Sequence, residues 1–303
     1  MNKKTYAHLA LILVAIIYGA NYSIAKIAMD EPSISPMAMI FMRLGTGVIT
    51  FTTIYFFWVR ENIDRKDLPI FAFCGLTGAA LNMSFFFIGL NFTNPINASL
   101  VMTSSPVMVI IFSYFIIKEK ITAVNGIGIF MALIGAAILI YRPTSTEQAG
   151  SMLGDFFIFM NATSYALYLV LVKRLIAKYH PFTILLMVFS FGFLFVLPFS
   201  IKPFLFIEWE GLDWTVMGSI VFVLIGTTIL AYLFNAFALV HVRSSTAGSY
   251  IYAQPVVASF FAILMQKDSL QPKMIFCSAL IFIGLYLVSK KKKSISKSFL
   301  HST

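Results

Sequence analysis

Aromatic and amide side chains recur at helical spacing inside two long apolar runs. In the first run, Tyr18, Asn21 and Tyr22 lie three or four residues apart and share one helix face. A later run carries a similar face, formed by Asn161, Tyr165 and Tyr168. Such faces suit a partly apolar organic solute, because rings stack against it and amides orient it. The alternative is hydrogen bonding between packed helices, about 0.6 kcal/mol per contact in membrane bundles.

Arg43 is a charge placed deep within an apolar run. It follows the predicted start of its helix by about eight residues, or about 12 Å at helical rise. A buried guanidinium needs partners, so Arg43 either contacts a substrate carboxylate or pairs with backbone carbonyls and asparagines. Other polar or aromatic residues at membrane depth are further cavity candidates. They are Asn82, Phe86, Asn97, Ser104, Asn235, Tyr250, Tyr252 and Gln254.

Two prolines lie inside predicted spans at corresponding positions. Pro106 and Pro255 each remove an amide and free the carbonyl four residues earlier, at Met102 and Ile251. Free backbone groups at membrane depth are tolerated only against protein or a water-filled cavity, so the kinks indicate a binding site. In the alternative, neighbouring polar side chains satisfy the freed carbonyls. The available groups are Ser104, Ser105 and Gln254.

Three charged residues near span ends are gate candidates: Lys26, Glu119 and Asp268. Lys26 lies close to the end of its helix, so its ammonium group can instead extend to the lipid headgroups. Glu119 and Asp268 each follow a lysine, so ordinary interfacial ion pairs are the alternative to gating or proton binding.

The composition excludes several protein classes. Of 303 residues, 59% are hydrophobic and only 11% are charged, against roughly 25% charged in an average soluble domain. We therefore exclude a soluble enzyme, a nucleic-acid binder and a disulfide scaffold. Cys74 and Cys277 lie in apolar runs, where a thiol acts as a small hydrophobe. No serine-hydrolase, zinc-protease or phosphate-loop motif is present, so we expect no enzyme, cofactor or metal.

Apolar runs of about 20 residues recur along the chain, and each is long enough to cross a bilayer. Ten helices are predicted, at about 6–29, 36–59, 68–90, 96–117, 121–141, 152–176, 183–201, 216–240, 245–265 and 272–289. The predicted fold class is an all-α membrane protein. A signal peptide is the alternative for the first span, because Lys3 and Lys4 precede it.

Lysine and arginine are unequally distributed between alternate loops. With a cytoplasmic N-terminus, the inner segments hold sixteen of them and the outer loops four: Arg142, Lys202, Lys267 and Lys273. Positive residues favour the cytoplasmic side, and an even number of spans returns the chain there. We therefore predict a multi-pass protein of the inner (cytoplasmic) membrane with both termini in the cytoplasm. The basic residues 290–293 fit a stop at the headgroups.

The two halves of the chain repeat. Landmarks of the first half recur 149 positions later: Pro106 as Pro255, Lys118 as Lys267 and Gly135 as Gly284. Nearer the start of each half, Tyr18 and Lys26 correspond to Tyr165 and Lys173 at an offset of 147. Five spans per half is an odd number, so the second copy crosses the membrane in the opposite sense. We predict two inverted repeats, at 1–146 and 147–303, an arrangement typical of transporters.

Several of these motifs resemble the paired EamA units of the drug/metabolite transporter superfamily. They are Tyr18-Gly19-Ala20-Asn21-Tyr22 with Lys26, Arg43, Pro106 with Lys118-Glu119, Gly154-Asp155, Ala166-Leu167-Tyr168 and Lys173-Arg174. The sequence departs at Tyr18, where the family usually has Trp, and at Asp268, where Glu is common. The resemblance implies a ten-helix secondary carrier that moves metabolites or drugs, usually outward. It also implies a cavity between helices 1–4 and 6–9, with helices 5 and 10 peripheral.

Our first functional hypothesis is an exporter of a small organic metabolite, such as an amino acid or drug-like solute, working by alternating access. The second is a membrane sensor or assembly partner that keeps the fold without transporting. Expected partners are a small-molecule substrate and the lipid bilayer, without nucleic acid, and the oligomeric state stays open. Gly128, Ala132 and Ala136 recur every four residues, a pattern that predicts close helix packing or a subunit contact.

Overall fold

The computed structural model describes residues 3–118, 123–140, 151–241 and 250–289, and every regular element in these ranges is helical. Seven helices are long and apolar enough to cross a membrane, and three shorter apolar helices complete the predicted ten. We number them α1 (Lys3–Met29), α2 (Pro36–Val59), α3 (Arg65–Phe92), α4 (Pro95–Ile116), α5 (Ala123–Ile140), α6 (Met152–Ile176), α7 (Pro181–Leu205), α8 (Trp214–Ala238), α9 (Tyr250–Leu264) and α10 (Pro272–Ser289).

The seventh span is longer than predicted. We expected it over 183–201, but the helix runs over Pro181–Leu205 and contains Pro198 and Pro203. Proline removes one helical hydrogen bond, yet transmembrane helices tolerate it when neighbouring groups satisfy the freed carbonyl. Lys202 does not end the helix either, because its long stem can lie along apolar surface while its charge reaches the interface. Similarly, α1 begins at residue 3 and not at residue 6.

The helices are irregular at both predicted prolines. In α4 the first helical segment ends at Met102 and a second begins at Ser105, one residue before Pro106. The Ser105 hydroxyl donates to the Met102 carbonyl at 2.7 Å, so this freed carbonyl is satisfied locally. In α9, a 3₁₀ turn over Tyr250–Ala253 changes to an α-helix next to Pro255. The prolines therefore reset the hydrogen-bond pattern of α4 and α9.

Two π-helical segments occupy corresponding places in the repeats. One covers Leu76–Ala80 in α3, and the other covers Phe222–Leu230 in α8. The repeat offset of 149 carries residues 76–80 into the second segment. Hydropathy gives no signal for such segments, which are often found at functional sites.

The packing of the bundle follows the inverted repeat. The main helix contacts are α2 with α7, α3 with α6, α1 with α8, α4 with α6, α3 with α7, α1 with α9, and α5 with α10. The α3–α7 contact corresponds to a smaller one between α8 and α2. The repeat relates α1 to α6, α3 to α8 and α4 to α9. Replacing each helix by its counterpart therefore converts the α3–α6 contact into the α8–α1 contact, and the α4–α6 contact into the α9–α1 contact. The α2–α7 and α5–α10 pairs convert into themselves. The fold is therefore an all-α membrane bundle of two inverted five-helix repeats.

The α5–α10 pair packs through small residues, as predicted. A Cβ on Gly284 would lie 2.5 Å from the Gly128 carbonyl oxygen and 2.9 Å from the Ala132 Cβ. A Cβ on Gly135 would lie 3.1 Å from the Cys277 carbonyl oxygen. This close backbone approach assigns the small-residue face of α5 to helix packing within the chain.

Candidate functional site

Five polar side chains from four helices lie near one another in the interior of the bundle. The hydroxyl of Tyr18 on α1 lies within electrostatic range of Arg43 on α2 and of Tyr165, Tyr168 and Tyr232. Arg43 is also within range of Tyr232 on α8, and the Tyr165 and Tyr168 rings on α6 have centroids 6.1 Å apart. We call these five residues the central cluster. Both repeats contribute to it.

Aromatic rings border the central cluster on its apolar side. The Arg43 guanidinium lies 5.9 Å from the centroid of the Phe87 ring, a cation–π distance. The Tyr232 ring lies 5.4 Å from Phe189 and 6.0 Å from Phe51. Next to this region, Tyr22 is buried and packs edge-on against Phe86 at 5.6 Å. An arginine and several phenols surrounded by rings offer both stacking and polar contacts to a solute.

Gly78 makes room for one ring of the central cluster. It lies in the π segment of α3, and a Cβ there would be only 2.4 Å from the Tyr168 ring. Any larger side chain must displace Tyr168. The π segment and the glycine together set the position of this tyrosine.

Asn82 and Asn161 join α3 to α6 through a reciprocal pair of hydrogen bonds. The Asn161 side-chain amide donates to the Asn82 backbone carbonyl at 2.7 Å. The Asn82 side-chain amide donates to the Asn161 backbone carbonyl at 3.3 Å. The Ser164 hydroxyl also donates to the Thr77 carbonyl at 2.7 Å. These are the helix-to-helix contacts that the sequence left open as an alternative to cavity lining.

A buried carboxylate holds the start of α4 at one end of the bundle. Asp155, in the first turn of α6, is fully buried and accepts hydrogen bonds from the Thr93 hydroxyl and from the Asn97 amide at 3.2 Å. This end lies opposite the face on which α1 begins. We call it the opposite face, and the other the N-terminal face.

Lys26 also belongs to the opposite face, but it does not extend to the headgroups as its alternative reading predicted. Its ammonium group donates to the carbonyls of Leu90 at 2.9 Å and Asn91 at 2.7 Å, at the end of α3. A cation at this position satisfies carbonyls that have no helical partner and interacts favourably with the helix dipole. Lys26 therefore ties α1 to α3.

Asp268 has a similar role beyond α9. One carboxylate oxygen accepts from the Ile96 amide at 3.1 Å in the first turn of α4, and the other from the Asn94 amide at 3.5 Å. The preceding lysine, Lys267, pairs instead with Asp30 at 2.7 Å. Two carboxylates, Asp155 and Asp268, thus hold the start of α4 from different sides.

The N-terminal face is joined by the exposed Lys178 and the buried Tyr179. Lys178 and Tyr179 both donate to the Asp67 carboxylate, each at 2.6 Å. The bond to Asp67 raises the pKa of Lys178 and also raises the pKa of Tyr179. Nearby, the His180 amide donates to Glu61 at 3.0 Å. These contacts join the α2–α3 loop and the start of α3 to the α6–α7 loop.

Two segments of the chain match one known protein family. The model of the EamA-like transporter family covers residues 5–141 and 152–290. The chain belongs to this family. Similar proteins include an uncharacterized transporter of Archaeoglobus fulgidus, 26% identical over 94% of this chain and 99% of its own length. The uncharacterized transporter YyaM of Bacillus subtilis is 26% identical over 84% of each chain.

A solved structure supports the fold. One protein crystal structure superposes with a TM-score of 0.59 at 16% identity, over 93% of this chain and 96% of that chain. Together with the helical spans, family membership identifies an EamA-like membrane transporter of multi-pass topology, as the resemblance implied.

The remaining predicted residues of the EamA-like transporter have varied surroundings. Asn21, Asn97, Asn161 and Ser104 are buried, and each has one side-chain oxygen without a hydrogen-bond partner. Asn235 and Gln254 are half-buried.

Two predicted cavity tyrosines lie elsewhere. The Tyr250 hydroxyl bonds the His8 ring nitrogen at 2.8 Å, where α9 and α1 begin on the N-terminal face. Tyr252 packs against the cluster of Val107, Ala132 and Ile281 between α4, α5 and α10.

Some predictions fall outside the described residues. These are the gate candidate Glu119, the boundary between residues 146 and 147, and the basic tail at residues 290–293.

Tyr232 and the hydrogen bonds of Asp155 to Thr93 and Asn97 were not predicted from the sequence of the EamA-like transporter. Tyr232 lies three residues before the predicted Asn235 in a very apolar span, and this spacing was the available signal. Asp155 was noted only as part of the Gly154-Asp155 motif that resembles the EamA units. Its position inside an apolar helix should have indicated a paired, buried carboxylate.

Proposed function

We propose that this protein is a secondary transporter that exports a small organic metabolite across the inner membrane by alternating access, without chemically changing it. The central cluster is the observation that carries the proposal. It draws polar and aromatic groups from α1, α2, α6 and α8, so a solute bound there would contact both repeats. A rocking motion of one repeat against the other would then change its surroundings.

The arrangement of the two faces supports alternating access. Buried and half-buried polar groups join helix ends on the opposite face, while the exposed Lys178 and the buried Tyr179 bond the start of α3 on the N-terminal face. Access from the opposite side would require the contacts of Lys26, Asp155 and Asp268 to break. We therefore propose that these residues form a gate, between repeats bounded at 1–146 and 147–303.

The charge distribution supports the proposed orientation. The predicted loops and tails hold sixteen lysines and arginines on the N-terminal side and four on the opposite side, or five with Lys26, which favours a cytoplasmic N-terminal face. A cysteine placed after residue 303 should then resist a membrane-impermeant maleimide in intact cells and react in inverted vesicles. Labelling in intact cells would contradict the orientation.

Gly78 provides the test of transport. Gly78→Val would displace Tyr168, whereas Gly218→Val is a matched control because a Cβ at Gly218 meets nothing within 4 Å. Cells that overproduce the protein should accumulate one or more metabolites in the medium, measured by untargeted mass spectrometry. We expect Gly78→Val to remove most of this accumulation and Gly218→Val to retain it at equal expression. Identical media for all strains would contradict export and favour the sensor or assembly role.

A further inference from the structure

Arg43 is a buried cation with an incomplete set of partners. The residue is 7% exposed, and its Nε lacks a hydrogen-bond partner. The ion pairs among the described residues join Lys178 to Asp64 and Asp67, and Lys267 to Asp30, so none includes Arg43. A guanidinium has five donors in a planar fork, and a buried charge without a counterion is costly. Burying the Arg43 guanidinium in the interior of the bundle therefore makes an unfavourable contribution to the free energy of folding.

The surroundings of Arg43 do not neutralise its charge. Phe87 offers a ring face at 5.9 Å, which gives a cation–π contact. Tyr18 and Tyr232 offer phenol groups, which are uncharged near pH 7. On α1, the Asn21 side-chain oxygen is also buried without a partner. The Arg43 Nε donor and the Asn21 Oδ1 acceptor therefore both have unused hydrogen-bonding capacity.

We propose that the central cluster selects small organic anions, with the substrate carboxylate paired to Arg43 and an apolar or aromatic body among the tyrosine rings. This inference rests on the proposed transport function and names its substrate class. A carboxylate matches the guanidinium fork and can accept two parallel N–H bonds. Stacking on Tyr165 and Tyr168 would hold the remainder of the solute.

Protein stability distinguishes this role from a structural one. If Arg43 serves a substrate, the ligand-free protein gains nothing from its charge, and Arg43→Met should keep or raise the melting temperature in detergent. Stability lost to function is a common feature of binding sites. A fall in melting temperature as large as that caused by Lys26→Met would show that the fold itself uses the guanidinium, and would overturn the proposal.

Binding of matched pairs tests the anion preference directly. The probes are acetate and acetamide, 3-phenylpropanoate and 3-phenylpropanamide, and indole-3-acetate and indole-3-acetamide, titrated against purified protein by calorimetry and thermal shift. We expect one or more carboxylates to bind roughly tenfold or more tightly than the paired amide. Arg43→Gln should reduce that ratio to about one. The control Arg60→Gln alters an exposed arginine and should leave the ratio unchanged.

The outcomes separate this proposal from the transport proposal. Equal binding of acid and amide, no binding of any carboxylate, or a preference that survives Arg43→Gln would each overturn the anion site. Transport of a neutral metabolite would then still support the exporter. Conversely, carboxylate binding that depends on Arg43, in a protein that moves no solute in liposomes, would support the site and reject transport.

Discussion

The two faces of the bundle are closed in different ways. On the opposite face, Asp155 is fully buried and Lys26 is half-buried, and both contact the ends of helices. On the N-terminal face, Lys178 is 54% exposed and Tyr179 is buried, and both donate to Asp67 at the start of α3. Buried polar contacts are costly to break, whereas exposed ion pairs contribute little because water and salt screen them. Lys26, Asp155 and Asp268 are buried or half-buried charges, whereas the buried group named at the N-terminal face is the neutral Tyr179, so we expect the described conformation to be held more strongly at the opposite face.

Repeat-related positions show the same difference. Lys26 in α1 corresponds to Lys173 in α6 at the offset of 147. Lys26 lies among the carbonyls that end α3, while Lys173 is exposed on the N-terminal face beside a surface pocket of about 180 Å³. Inverted repeats give two similar scaffolds, but side chains decide which face is closed. In an alternating-access cycle, this asymmetry would favour one resting state.

The largest effect is expected from removing the buried carboxylate. Asp155→Ala would leave the Thr93 hydroxyl and the Asn97 amide without their acceptor, at a cost of about 3 kcal/mol. Thermal unfolding in detergent would measure it. Asp213→Ala is the matched control, because Asp213 is exposed and its hydrogen bonds go to Trp214 and Thr215 in the first turn of its own helix. Equal melting temperatures for both variants would contradict the strong closure of the opposite face.

Lys26→Met should have an intermediate effect. It removes two charge-assisted hydrogen bonds to the Leu90 and Asn91 carbonyls but keeps an apolar stem, so we expect a loss of about 1–2 kcal/mol. If Lys26 belongs to the gate, Lys26→Met should also speed the labelling, from the external side, of a cysteine introduced at Ser104, whose buried hydroxyl has no hydrogen-bond partner. Lys202→Met is the control, since Lys202 is exposed. Unchanged labelling would remove Lys26 from the gate.

Much of the fold follows from the sequence, and the reason is physical. A bilayer requires helices of about 20 apolar residues, so hydropathy located the spans within a few residues, and the odd number of spans per repeat required inversion. Helix ends were less predictable at α7, where Lys202 and two prolines did not end the helix. The π segments in α3 and α8 also left no trace in hydropathy.

The site was only partly predictable from the sequence. Helical spacing selected Tyr18, Tyr165 and Tyr168, which meet in the central cluster. The same reasoning selected Tyr252, which packs between α4, α5 and α10. Spacing defines a face of one helix, but which neighbour covers that face depends on packing between distant segments. A polar residue within the membrane forms hydrogen bonds with whatever polar group is available. The sequence alone therefore does not show whether that group belongs to a neighbouring helix or to a solute.

The smallest effect is expected on the N-terminal face, from Lys178→Met. The bond to Asp67 raises the pKa of Lys178, so the pair stabilises the protein below the unfolded-state pKa of lysine and is lost as the pH rises through the raised value. Because Lys178 is exposed, we expect no measurable change in melting temperature at pH 7. Melting curves between pH 7 and 11 should superpose for wild type and variant. A destabilisation as large as that of Lys26→Met would show that both faces are closed equally strongly.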